Sequence, residues 1–141
     1  MLLTRKAEFS ASHVCASPSL NDAENHALYG AAANPNGHGH NYVLEVTVEG
    51  ETNPVTGMVF DLRELKQAIN EEVVDPMDHR FLNREVPPFD RVVPTTENIA
   101  IEIWRRLQRR IDRNGVQLRN VRLYETADLY VDCGGPLGEK R

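Results

Sequence analysis

Two histidines separated by one glycine, His38-Gly39-His40, are the residues of this chain best suited to metal chemistry. They open a run of strand-forming residues, and alternate residues of a strand face the same side, so both imidazoles can reach one point. His13 ends another strand-like stretch and could supply a third nitrogen from a neighbouring strand. Three imidazoles with an open fourth position are typical of a catalytic zinc site, whereas an exposed HxH pair without metal is the simpler alternative.

A second pair, Asp78-His79, could move protons and lies in a predicted loop from Met77 to Pro94. Imidazole titrates near neutrality, and a neighbouring carboxylate can orient the ring and stabilise its protonated form. Taken alone, the pair is more simply interpreted as two loop side chains in contact with solvent.

The strands that must position these residues are predicted from the alternation of apolar and polar side chains. Leu2 to His13 is predicted as the first strand and Asn41 to Glu49 as the second. Gly57 to Phe60 is predicted as a short third strand that could pair with the second. Between them, the loop from Ala16 to Gly37 is long for a compact domain, which favours a functional role, and Asp22 to Tyr29 could form a helical turn within it.

Two amphipathic helices follow these strands. The first is predicted to begin at Asp61 and to end near Pro76. The second is predicted to begin at Thr95 or Thr96, and Gly115 provides a fitting stop after its apolar stripe.

The last two predicted strands, Val116 to Thr126 and Leu129 to Cys133, form a hairpin. This order of elements indicates an α+β fold in which an antiparallel sheet is covered on one face by two helices. The open edges of such a sheet need a partner, and assembly of several copies into a barrel is one solution. We expect a single domain over residues 1–141.

Composition favours an ordinary globular protein without a nucleic-acid partner. The chain has 141 residues, a formal net charge of −5 and no basic stripe clear of acidic neighbours. Its densest basic cluster lies on the second predicted helix and is most simply a solvated face, with phosphate binding as the alternative. The cluster comprises Arg105, Arg106, Arg109, Arg110 and Arg113.

No apolar run approaches the length of a membrane span, and the N-terminus lacks the apolar core of a signal peptide. The two cysteines, Cys15 and Cys133, provide no disulfide framework. We therefore expect a cytoplasmic protein in a reducing compartment that contacts no membrane.

Short motifs occur in order along almost the whole chain. They are FSASH at Phe9 to His13, NPNGHGHNY at Asn34 to Tyr42, GMVFDL at Gly57 to Leu62, DHRFLN at Asp78 to Asn83, PTTEN at Pro94 to Asn98 and YET at Tyr124 to Thr126. Together they resemble the 6-pyruvoyltetrahydropterin synthase / 6-carboxytetrahydropterin synthase family. The resemblance implies a tunnelling fold (T-fold) with a four-stranded antiparallel sheet and two helices on one face. It also implies trimers whose sheets close a barrel, two trimers stacked as a hexamer, and active sites between subunits.

The resemblance implies roles for both chemical clusters. His13, His38 and His40 correspond to the family's zinc ligands, in agreement with the strand geometry. The ion would act as a Lewis acid on oxygens of the pterin side chain. Asp78 and His79 correspond to the family's acid–base pair.

The substrate-binding residues follow from the same resemblance. Glu125 corresponds to the anchor of the pterin ring, because a carboxylate can accept hydrogen bonds from a 2-amino group and the adjacent ring N–H. Thr95, Thr96 and Glu97 resemble further ring contacts, although capping of the helix would explain them equally well.

One position departs from the family pattern. The family places a cysteine that acts as a general base where this chain has Ala32, and a methyl group cannot move a proton. Three explanations stay open: an engineered inactive form, a lineage in which His79 and zinc suffice, or substitution of the missing thiol by Cys15. Loss of a general base costs roughly two to four orders of magnitude in rate, so site assembly is expected to survive better than turnover.

The implied activity is that of a zinc-dependent lyase that converts 7,8-dihydroneopterin triphosphate to a 6-substituted tetrahydropterin. The spacing before the histidine pair slightly favours the 6-pyruvoyl product, and the 6-carboxy product of the queuosine pathway is kept as an equal outcome. The alternative, favoured by Ala32, is a non-catalytic homologue that binds zinc and a pterin. A purely structural metal module would leave DHRFLN and YET without a role, and no glycine-rich fingerprint indicates a nucleotide-dependent oxidoreductase.

Overall fold

The long pairing of the first two strands brings the predicted metal ligands to one end of a sheet. The computed structural model describes residues 1–137. In it β1 (Leu2–His13) pairs antiparallel with β2 (His38–Gly50) from Leu2 opposite Glu49 to His13 opposite His38. The strands approach closely at Gly39, where a Cβ would lie 3.1 Å from the carbonyl oxygen of Ala11, so a larger residue would require the backbone to shift by a few tenths of an ångström.

The sheet has five strands, one more than the four that the family resemblance implies. A two-residue strand, β3 (Arg80–Phe81), pairs parallel with β1 and forms an edge inside the predicted loop. β4 (Val116–Thr126) pairs antiparallel with β2, and β5 (Leu129–Cys133) pairs with β4 as the predicted hairpin. The strand order is therefore β3-β1-β2-β4-β5.

The predicted strand from Gly57 to Phe60 is wrong. Asn53 organises this segment as a local turn: its side chain accepts the N–H groups of Val55 and Thr56, and its carbonyl accepts the N–H of Gly57. Gly57 has φ +72°, which an extended strand does not allow. The turn therefore satisfies locally the backbone groups that a strand would have offered to β2.

Both long predicted helices are present, together with shorter ones. They are α1 (Asp22–Tyr29), α2 (Leu62–Ile69), α3 (Asp75–Met77), α4 (Leu82–Glu85) and α5 (Thr96–Ile111). A π-helical segment, Asn70–Val74, joins α2 to α3, and a 3₁₀ turn, Gly30–Ala33, follows α1. Within residues 1–137, no helix has the length and apolar character needed to cross a membrane.

Strand alternation decides which face of the sheet α2 and α5 cover. Tyr42, Leu44, Val46 and Val48 of β2 are fully buried against the helices, and intervening residues such as Thr47 face the open side. Removing one such aliphatic side chain from water contributes about 1.5–3 kcal/mol. His38 and His40 share the parity of this buried row, so they continue it beyond Tyr42 to the end of the covered face.

A candidate metal centre

The three histidines predicted as ligands converge on the helix-covered face of the sheet. His13 and His38 are opposite one another across β1 and β2, with their Nε2 atoms 3.0 Å apart. His40 lies two residues further along β2, and one ring nitrogen from each residue lies within 4.8 Å of the others. We refer to His13, His38 and His40 as the His triad.

A backbone carbonyl orients the most buried member of the triad. His13 is 1% exposed, and its Nδ1 lies 2.7 Å from the carbonyl oxygen of Pro94. A carbonyl only accepts, so Nδ1 carries the proton and the Nε2 lone pair points at the other two histidines. Ligands of protein-bound metals are commonly fixed through the second ring nitrogen in this way.

The nitrogens of the triad fit a divalent metal. Tetrahedral bonds of about 2.0–2.1 Å to nitrogen place neighbouring ligand atoms roughly 3.3 Å apart, close to the separation of His13 Nε2 and His38 Nε2. Among residues 1–137, the buried Nε2 of His40 has no hydrogen-bond partner; Glu125 Oε1 is 3.3 Å away without suitable geometry. Burial lowers the pKa of His13 and of His40, which favours the neutral form that binds metals.

A carboxylate and a hydroxyl lie beside the triad. Glu125 comes from the end of β4, and its second oxygen accepts a hydrogen bond from the hydroxyl of Thr96 in the first turn of α5. Thr96 is 4% exposed and the Glu125 side chain is 21% exposed, so the hydroxyl is buried and the carboxylate is half-buried. The structure thus brings two of the four predicted substrate contacts, Glu125 and Thr96, to the His triad.

The other two predicted contacts have different surroundings. The Thr95 hydroxyl accepts the N–H of Asn98 at 3.2 Å and is the N-cap of α5, the alternative considered for it from the sequence. Glu97 is exposed in the first turn of the same helix. Neither residue has a recorded contact with the His triad.

Asp78 and His79 form a hydrogen-bonded pair whose backbone is tied to β1. Asp78 Oδ2 lies 2.9 Å from His79 Nδ1, and Asp78 Oδ1 accepts the N–H of Ser10 at 2.8 Å. The Ser10 hydrogen bond, helped by His79, lowers the pKa of Asp78 and keeps this carboxylate ionised. We refer to Asp78 and His79 as the acid–base dyad.

The backbone at His79 is strained. Its φ is +60°, the only positive value outside glycine within residues 1–137, and its N–H donates to the carbonyl of Ser10 at 2.6 Å. A non-glycine residue in this region costs of order 1–3 kcal/mol, and such strain clusters at functional sites. The strained backbone presents an imidazole that is 83% exposed.

Within residues 1–137, no hydrogen bond or ion pair joins the dyad to the His triad. His79 borders a cleft of about 370 Å³ that is lined by Ser10 and Asn41 and also by His40 of the triad. Ser10 and Ser12 alternate along β1 with residues of the buried row, and the Ser10 hydroxyl donates to Asn41 Oδ1 on the open face. The cleft beside His79 thus reaches one ligand of the triad, His40, whereas His13 and His38 do not line it.

Ala32 lies beside β1, close to a buried thiol. Its carbonyl accepts the N–H of Cys15 at 2.9 Å, which places position 32 alongside the chain two residues beyond His13. The Cys15 sulfur is 3.9 Å from His13 Nδ1 and from the Pro94 carbonyl. Burial, with Glu125 nearby, raises the pKa of this thiol to about 11. Cys15 is protonated near neutrality, so this geometry gives no support to its use as a base.

Three of the five arginines in the basic cluster form hydrogen bonds with neighbouring groups of the fold. Arg106 binds Glu102 and the carbonyls of Glu72 and Pro87, and Arg110 binds Glu71 and Glu72. Arg113 makes a two-nitrogen contact with Glu64. With these guanidinium groups engaged, the cluster supports the solvated-face interpretation over a phosphate site.

Comparison with known proteins shows which proteins this chain is similar to in sequence and structure. Residues 2–136 match the family model described as 6-pyruvoyl tetrahydropterin synthase. The chain is 50% identical over 124 residues to 6-pyruvoyl tetrahydrobiopterin synthase of Pongo abelii, covering 88% of this chain and 84% of that protein. It is 38% identical over 95 residues to dihydroneopterin monophosphate aldolase of Pyrococcus furiosus, covering 67% and 75%. The solved structure of Caenorhabditis elegans 6-pyruvoyl tetrahydropterin synthase superposes with a TM-score of 0.91, 38% identity and 96% coverage of both chains.

Proposed function

Because this chain belongs to the 6-pyruvoyl tetrahydropterin synthase family, we propose that it converts 7,8-dihydroneopterin triphosphate to a 6-substituted tetrahydropterin. The observation that carries the proposal is the His triad beside the carboxylate of Glu125. Unpartnered imidazole nitrogens and a half-buried carboxylate in one place suit a metal and a ring with adjacent N–H donors.

The triad is proposed to hold zinc. When bound, zinc supplies a Lewis acid that polarises an oxygen of the pterin side chain and makes the neighbouring C–H more acidic. The residues present match a three-nitrogen catalytic set with an open position, and a closed structural site would need a fourth ligand. The hydrogen bond from His13 to Pro94 fixes the ring that lies deepest in this set.

Glu125 is proposed to anchor the pterin ring. Its Oε2 is occupied by the Thr96 hydroxyl, so the carboxylate plane is set before substrate arrives. A carboxylate oxygen retains lone pairs while accepting one hydrogen bond, and the 2-amino group and adjacent ring N–H can donate to both oxygens. Thr96 would orient this anchor, and Thr95 and Glu97 would act at the margin of the ring if they contact it.

His79 is proposed to carry the proton. Its Nδ1 contacts Asp78, so Nε2 of this exposed ring is the atom that would take and return a proton. The ionised Asp78 stabilises the imidazolium that forms after the transfer. Since position 32 lacks a thiol, this dyad is the acid–base group that the proposal relies on.

An assembly with active sites between subunits would bring the dyad of one chain to the triad of another, since no hydrogen bond or ion pair joins the two groups within residues 1–137 of one chain. A substrate bound at the His triad of one chain would then lie next to the acid–base dyad of a neighbouring chain. The open sheet face of that neighbouring chain would turn towards the substrate. Barrel-forming trimers stacked as a hexamer, as the family resemblance implies, would provide this arrangement and would also cover the open edges of the sheet.

The alternative is a homologue that binds zinc and a pterin without turnover. Ala32 favours it, because a methyl group replaces the general base of the family. An enzyme and a non-catalytic homologue would share the metal site and the ring anchor. They would differ only in whether the bound substrate is converted.

Product analysis separates these possibilities. Zinc-loaded protein is incubated with 7,8-dihydroneopterin triphosphate, in parallel with the Ala32→Cys variant, and the pterins are identified by mass spectrometry. A tetrahydropterin from the unaltered protein supports the proposal, and its side chain distinguishes the 6-pyruvoyl from the 6-carboxy reaction. Turnover by Ala32→Cys alone supports the binding homologue, and aldol cleavage products would instead assign the reaction named for the Pyrococcus relative.

A further inference from the structure

Asn83 forms a two-point contact with the backbone next to a metal ligand. Its Oδ1 accepts the N–H of Val14 at 2.8 Å, and its Nδ2 donates to the carbonyl of Val14 at 2.9 Å. Val14 directly follows His13, the end of β1. The roles assigned above to the DHRFLN segment involve Asp78 and His79 and leave Asn83 unexplained.

The side-chain amide of Asn83 forms the two backbone hydrogen bonds that a paired strand would form, at the point where strand pairing stops. The parallel pairing of β1 with β3 ends at Ser12 opposite Phe81. Beyond it, one side chain satisfies both backbone groups of Val14. The Val14 N–H belongs to the peptide plane that carries the carbonyl of His13, so this hydrogen bond also restrains the backbone of His13 on its C-terminal side.

The same segment supports the second ligand-bearing strand. A Cβ placed on Gly37 would lie 2.8 Å from Cε2 of Phe81, so the ring packs directly against the residue that precedes His38. Gly37 has φ +77°, a conformation that other residues rarely adopt. One short segment thus contacts the chain immediately after His13 and immediately before His38.

We propose that Asn83 is a positioning residue of the metal centre. By holding the peptide after His13, its amide keeps the Nε2 of His13 at the position where it meets the nitrogens of His38 and His40. The proposal rests on zinc binding by the His triad, as inferred above.

The chain contains a matched control for a merely structural amide. Asn25 is 6% exposed; its Oδ1 accepts the N–H of Ser17 at 2.8 Å, and its Nδ2 donates to the carbonyl of Ser17 at 3.1 Å. This contact has the same chemistry in the same connection between β1 and β2, but it holds a residue further from the His triad. Its removal should affect folding stability without moving a ligand.

The test is the zinc affinity of purified full-length protein, measured by competition with a chromogenic chelator. We expect Asn83→Ala to raise the zinc dissociation constant about 10–100-fold, the usual effect of removing a group that orients a metal ligand. Asn83→Asp keeps the acceptor for the Val14 N–H and loses the donor, so we expect a smaller loss. Asn25→Ala should lower the melting temperature of the metal-free protein and leave zinc affinity unchanged.

Two results would overturn the proposal. One is zinc binding by folded Asn83 variants as tight as that of the unaltered protein; the other is an equal loss of affinity in Asn25→Ala. If Asn83→Ala does not fold, the more conservative Asn83→Asp gives the answer. Failure of the proposed metal site itself looks different, because the unaltered protein would then bind no zinc either.

Discussion

The Nε2 atoms of His13 and His38 face each other at 3.0 Å across the end of the first strand pair. Since the hydrogen bond to Pro94 places the proton of His13 on Nδ1, its Nε2 offers a lone pair to whatever lies between the rings. Either a proton on the Nε2 of His38 or a metal ion shared with His40 can occupy the space between the two rings.

Zinc should therefore stabilise the fold. At a free zinc concentration one hundred times the dissociation constant, we expect a gain of about 2.7 kcal/mol in the free energy of unfolding. His40→Ala should abolish most of the gain, whereas His26→Ala, which changes an exposed histidine on α1, should retain it. Calorimetry with and without zinc measures the difference, and an undiminished gain in His40→Ala would contradict the proposed centre.

Changes in the dyad should affect turnover without affecting metal binding. We expect His79→Gln to reduce kcat by roughly 10²–10⁴, as for loss of an acid–base group, with an unchanged zinc dissociation constant. The reason is that His79 pairs with Asp78 and is not one of the three ligands, although it shares a cleft with His40. Parallel loss of zinc affinity would place the dyad at the metal centre of its own chain.

Complementation between two inactive variants tests the proposed shared sites. His79→Ala retains the triad and His40→Ala retains the dyad, so a co-expressed mixture contains some interfaces with both parts intact. Random assembly predicts roughly one quarter of the normal activity per site, although each variant alone is inactive. A mixture that stays inactive would show that triad and dyad must belong to one chain.

The pairing of Thr96 with Glu125 should determine pterin affinity. Removing the hydroxyl in Thr96→Val leaves the anchor carboxylate without its buried donor, and hydrogen bonds to charged groups contribute about 1.5–3 kcal/mol. We therefore expect pterin affinity to fall roughly tenfold or more, as measured by fluorescence titration with a neopterin. Thr47→Val removes a hydroxyl paired with Thr4 on the open face and should bind the pterin normally.

Acid should reveal the lowered pKa of Asp78. Its carboxylate is stabilised in the folded protein by the Ser10 N–H and by His79, so this contribution is present above the ordinary carboxyl pKa and is lost as pH falls through the lowered value. The free energy of unfolding of the metal-free protein should therefore fall more steeply below about pH 4 than that of Asp78→Asn. Urea unfolding at several pH values measures both slopes, and equal slopes would contradict the assignment.

Alternating and helical patterns correctly predicted the longer elements, each of which packs one regular face against the core. β1, β2, β4, α2 and α5 each bury one face, and that burial is visible as a period in the sequence. In β5, Val131 and Cys133 are partly buried against the same core and alternate with exposed residues. β3 was missed because two residues at an edge carry no period. The segment at Gly57 was mispredicted because the Asn53 turn satisfies its backbone locally, which residue alternation does not report.

The site was predictable where side-chain types and spacing define it. The HxH pair and its partner His13 met as expected because their positions on paired strands follow from parity and register. The sequence did not predict the roles of the Pro94 carbonyl and the Asn83 amide. A backbone oxygen has no sequence signature, and the role of Asn83 follows only from its contact with Val14. The placement of the dyad likewise depends on the edge strand β3, which sequence patterns did not show.

The methyl group at position 32 bears on how the centre withstands oxidants. Peroxides and alkylating reagents attack the thiolate form of cysteine, so a site that works through a thiolate is open to inactivation by them. Here Ala32 offers no sulfur, and Cys15 is buried with its pKa raised to about 11, which keeps it in the unreactive thiol form. The absence of a reactive thiol makes the centre resistant to oxidation, whatever the effect of the missing base on the reaction rate. We expect it to retain its zinc and ligand binding after peroxide treatment.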